Sequence, residues 1–136
     1  MELDDRLPVT PPAEIALVDV APVLDRAALE MLVEEIDIDG VRATLDVFLA
    51  ETVERLAQLR RMSCEDDRAK IAGEAHTLKG SSSTFGLRQI SELARTLEHS
   101  AHQIAPDDYR DLLDRLDACF DLARDELAAA MTERVG

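Results

Sequence analysis

The stretch Ala75-His76-Thr77-Leu78-Lys79-Gly80-Ser81-Ser82-Ser83-Thr84 brings together an imidazole, an ammonium group one helical turn later and a row of hydroxyls. A neutral imidazole is a competent nucleophile near pH 7, and its adduct with a phosphoryl group is a labile nitrogen–phosphorus bond. Phosphoryl transfer asks mainly for in-line positioning and positive charge. Drawn as a helix, in which positions three, four and seven apart share a face, the stretch has two unlike sides. His76 shares its side with Ala69, Ala72, Gly73, Lys79, Gly80 and Ser83, all small except Lys79. Ile71, Ala75, Leu78, Ser82 and Phe85 form the opposite, core-facing stripe. Each helix-interior glycine costs roughly 1 kcal/mol relative to alanine. Gly73 and Gly80 flank His76, so a steric reason is expected: they clear space for a bulky partner to reach the outer ring nitrogen, with Lys79 supplying a cation for the anion held there.

His76-Thr77-Leu78-Lys79-Gly80-Ser81-Ser82 resembles the signature of histidine-containing phosphotransfer (HPt) domains, His-x-Leu-Lys-Gly-Ser/Ala-Ser/Ala. Phe85-Gly86-Leu87 and Leu93-Ala94-Arg95-Thr96-Leu97-Glu98 are similar to the family's usual continuation, and the likeness runs from about Pro22 to Met131. The resemblance implies a four-helix bundle that passes a phosphoryl group between aspartates of receiver domains through a phosphohistidine at His76. It implies a covalent carrier without autokinase activity, and as partners the receiver domains of response regulators and of a hybrid histidine kinase. The acceptor aspartate, a lysine and a bound Mg²⁺ would be the receiver's, so no cofactor or metal of this chain's own is expected. By the same analogy Nε2 is the phosphorylated nitrogen. The group that holds Nδ1 is left open, and Ala69, Ala72, Gly73, Gly80 and Ser83 form the expected docking face around His76 and Lys79.

The elements that must position these residues read as helices. With 3% aromatic residues, few glycines and prolines, and a preponderance of Ala, Leu, Glu, Asp and Arg, the 136-residue chain favours one all-α domain. Residues 1–21, with Pro8, Pro11 and Pro12, read as a flexible N-terminal tail that could dock through Ile15, Leu17 and Val18. Residues 22–136 read as an antiparallel four-helix bundle with a short extra N-terminal helix across one end. That short helix is capped by Asp25, lined by Leu29, Leu32, Val33 and Ile36, and ends near Ile36. A second runs from about Gly40 to Met62 on Leu45, Phe48, Leu49, Thr52, Leu56 and Leu59. Ser63, with Asp66 three residues on, should begin the helix that bears His76, and Gly86 should end it. The last two span about Leu87–Gln103 and Pro106–Thr132. Cys119 falls on an apolar stripe and is expected to be buried, and Cys64 belongs in a loop or first turn.

A net charge of −14 argues against nucleic acid and anionic membranes as partners. The N-terminus lacks the pattern of a signal peptide and no apolar run is long enough to span a bilayer, so a cytoplasmic, reduced, monomeric protein is expected. Two rival readings differ in kind. One is a helical adaptor that binds a partner through the same open face without chemistry. The other is a metal site at His99 and His102, for which no third or fourth ligand is evident. Gly80-Ser81-Ser82-Ser83 is not a phosphate-cradling loop, since the lysine precedes the glycine inside a helix.

Overall fold

In the computed structural model, residues 21–135 are described. They form four helices: α1 (Arg26–Arg61), α2 (Arg68–Thr84), α3 (Arg88–Ser100) and α4 (Pro106–Val135). Each helix packs on the next, and α4 closes the ring against α1, giving an all-α bundle with short connections. The expected tail and its docking residues Ile15, Leu17 and Val18 lie outside the described residues.

Asp25 caps α1 as expected, its carboxylate accepting from the amides of Ala27 and Ala28 at 3.1 and 3.4 Å. The short first helix and the second expected from about Gly40 are both present within the span of α1: two helical segments that meet at a kink at Asp37. At Asp37 the backbone turns to φ 61°, ψ 173°, a region that costs a non-glycine residue about 1–3 kcal/mol. Its side chain offsets part of that cost by accepting from the amide of Gly40 at 2.9 Å, which caps the segment that follows. Ile36, expected on the core stripe, is instead 40% exposed. It lies over the bare backbone of Gly40, where a Cβ would stand 3.3 Å from its own.

Ser63 does not open α2. It accepts from the amides of Glu65 and Asp66 at 3.2 Å, while Asp67 bonds back to the Ser63 amide at 2.9 Å. This closes a separate turn, and the helix begins at Arg68. The turn tucks Cys64, which lies in this connection as expected, into the core, whereas Cys119, expected to be buried, is only half-buried. Cys119 sits at the edge, its thiol donating to Gln89 Oε1 at 3.4 Å. α3 stops at Ser100, whose carbonyl accepts from Gln103 and Ile104 in a closing turn. At that end of the bundle Tyr109 donates to the Leu59 carbonyl at 2.6 Å, tying α4 to α1, and burial pushes its phenol up to about 12.

The turn between α2 and α3 positions the site. Gly86 takes φ 79°, and a Cβ there would lie 2.6 Å from the Asp25 carbonyl oxygen. Its own carbonyl accepts from the Asp25 amide at 2.7 Å, so the start of α1 is bonded to this turn. Arg26 reaches Glu133 at 2.6 Å, which sets the same end of α1 against the last turns of α4. Gly86→Ala is therefore expected to destabilise the protein by more than about 1 kcal/mol, since alanine neither fits the left-handed conformation nor clears the carbonyl; urea unfolding of the variant beside the parent checks it.

Candidate functional site

α2 is wound so that Ile71, Ala75, Leu78 and Ser82 enter the core. That choice turns His76 outward, with 68% of its side chain exposed. Gly73, Gly80, Ala69 and Ser83 are exposed on the same side, and Ala72 is half-buried against the edge of the core. A Cβ added at Gly73 or Gly80 would meet nothing within 4 Å. Neither glycine is thus needed for packing within the chain.

The imidazole is anchored from α3. Glu98 Oε2 lies 2.8 Å from His76 Nδ1, and Glu98 Oε1 accepts from Lys79 Nζ at 2.8 Å. A carboxylate accepts only, so the neutral ring donates through Nδ1–H and presents the lone pair of Nε2 outward. Lys79 first and His76 second hold the Glu98 carboxyl below the usual carboxylate range. Because that shift is downward, the bonds hold to lower pH than they would with an unperturbed carboxylate and are lost as pH falls through the lowered value. The charges of Glu98 and Lys79 offset one another.

Glu98 had no assigned role in the sequence, although it ends the run Leu93–Glu98. The signal lies in the hairpin. His76 and Glu98 are equally far from Leu87 along the chain, and so are Ser83 and Ser91, whose hydroxyls meet at 2.7 Å. Ser91 also donates to the Lys79 carbonyl at 3.3 Å. Ser83, expected on the docking face, also bonds to α3. His99 on α3 and His102 in the turn that follows it are both exposed, and no group of three or more His, Cys, Asp or Glu among the described residues is placed to hold a metal ion. No helix among these residues is long and apolar enough to cross a membrane.

In comparison with known proteins, the family model of the Hpt domain matches residues 43–130, more than half of the chain. The match begins within α1, after the break at Asp37, so the segment that packs on the Gly86 turn precedes it. No curated protein and no solved structure matches.

Two outcomes follow for the isolated protein. Gly73→Ala and Gly80→Ala should each raise its stability by about 0.5–1 kcal/mol, because the added methyl has room and alanine favours the helix; denaturant midpoints read this. In ¹⁵N spectra at neutral pH the neutral His76 ring should carry its proton on Nδ1, and Glu98→Leu should abolish that preference without unfolding the bundle.

Proposed function

Because the chain belongs to the Hpt domain family, whose members carry phosphoryl groups on histidine in two-component signalling and are carriers rather than catalysts, we propose that His76 is its phosphoryl-accepting residue. The chain relays the group from the aspartyl phosphate of one receiver domain, that of a hybrid histidine kinase, to the aspartate of another, in a response regulator. The observation that carries the reading is an outward Nε2 whose ring is held at Nδ1 by Glu98, flanked by two glycines that serve no packing purpose inside the chain.

In the accepting step the Nε2 lone pair attacks phosphorus. The P–Nε2 bond forms as the P–O bond to aspartate breaks, and its electron pair stays with the departing carboxylate. No base is required, since the attacking nitrogen carries no proton. The ring becomes an N-phosphoimidazolium whose positive charge faces the Glu98 carboxylate across the Nδ1–H bond. Lys79, on the turn after His76, can exchange part of its contact with Glu98 for the arriving phosphoryl oxygens. The Mg²⁺ that neutralises the transferring group is supplied by the receiver. Donation reverses these steps onto the second aspartate. Ala69, Gly73 and Gly80 form a low platform on which the receiver's loops approach to reacting distance, Ala72 keeps its edge shallow, and Ser83 borders it. The carrier works as a cytoplasmic monomer and leaves each partner quickly, as a relay must.

Incubation with a ³²P-labelled receiver domain tests this reading. Label should pass to the parent protein and not to His76→Gln, whereas an adaptor without chemistry would bind the receiver equally in both forms and take no label. Gly80→Ala, more stable than the parent, should transfer at least about tenfold more slowly, because displacing the partner by even about 1 Å is costly to an in-line reaction.

A further inference from the structure

We infer that Arg95 is a partner-positioning residue: its guanidinium stands beside the bare backbone of Gly80 and engages the carboxylates that surround a receiver's acceptor aspartate. The inference rests on the relay reading above. The pairings of Ser83 with Ser91, and of His76 and Lys79 with Glu98, fix the register of α2 against α3. In that register Arg95, one turn before Glu98 and one after Ser91, falls level with Gly80. Ser91, Arg95 and Glu98 recur at spacings of four and three, so they share the side of α3 that borders the site.

The side chain is also uncommitted. Arg68 donates to the Ala101 and Ile104 carbonyls, Arg55 to Glu74, and Arg60 to Asp114 and Asp117. Arg95 is 42% exposed and has only a 3.7 Å ion pair with Glu92 on its own helix, too long for a hydrogen bond. Glu92 Oε1 makes no hydrogen bond at all. A planar fork of donors left free beside a cleared surface suits bidentate capture of a carboxylate.

Charge distribution points to the same partner. The chain carries −14 overall, yet residues 68–100, which hold α2 and α3, contain five basic and three acidic residues. α4 contains nine acidic and four basic ones. A receiver that binds Mg²⁺ beside its aspartate presents several carboxylates. Such a pocket is repelled by the α4 side and attracted to the α2–α3 side, where Lys79 shares Glu98 with His76 and Arg95 lies one turn before Glu98.

The test has a binding arm and a transfer arm, both using full-length protein and a receiver domain with Mg²⁺. In titrations with the unphosphorylated receiver, Arg95→Glu should weaken binding at least tenfold, Arg95→Ala severalfold, and Arg95→Lys least. Attraction in the parent should fall as salt rises despite its net negative charge. In single-turnover transfer from the phosphorylated receiver, the loss should appear in the half-saturating receiver concentration while the limiting rate stays within about twofold. Equal binding by all four proteins would overturn the inference, even if transfer to His76 proceeds. Unchanged binding with an altered hydrolysis lifetime of the isolated phosphoprotein would also overturn it, assigning Arg95 to the phosphoryl group instead. If the parent takes no label, the relay reading fails; the binding arm still decides whether Arg95 holds an acidic surface.

Discussion

One carboxylate shared between two donors on the facing helix organises the face of this protein that carries His76. Glu98 holds His76 Nδ1 and Lys79 Nζ at 2.8 Å each. This interaction settles the tautomer of the imidazole, restrains its rotation and keeps an ammonium group beside it. An unanchored surface histidine would distribute its proton over both nitrogens and its ring over several rotamers. The rest of the bundle serves to keep α2 and α3 in the register that brings Glu98 opposite His76. The short turn at Gly86 joins the two helices, the Asp25 amide bonds to that turn, and the buried leucines and Ile71 and Ile90 fix the rotation of both helices.

The fold and the outward direction of His76 were legible in the sequence because both are expressed as periodicity. Ile71, Ala75, Leu78 and Ser82 recur at spacings of four and three, and all four are buried. Leu87, Ile90, Ala94, Leu97 and Ala101 repeat the pattern, so the outward direction of His76 follows from the inward direction of its neighbours. Gly73 and Gly80 were informative for the opposite reason: they break the local preference for helix formers, and the structure offers no internal contact that requires it.

What escaped the sequence depends on geometry between elements or at their ends. Glu98 is one acidic residue among many on helix surfaces, and only the α2–α3 register distinguishes it. Ser63 has the residue type of a helix cap, but the Asp67 carboxylate satisfies its amide and closes a turn ahead of α2. Cys119 falls short of its expected burial because it lies at α4's edge beside Gln89, a placement that depends on how the helices meet.

The central claim is that Nε2 of His76, presented by the Glu98 anchor, is the nitrogen that takes the phosphoryl group. The most direct measurement is ³¹P–¹⁵N correlation spectroscopy of the phosphorylated, ¹⁵N-labelled protein. The account predicts a single phosphorus resonance coupled to Nε2 of His76, with the Nδ1 proton still present. Phosphorus attached to Nδ1, or to any residue other than His76, would contradict it.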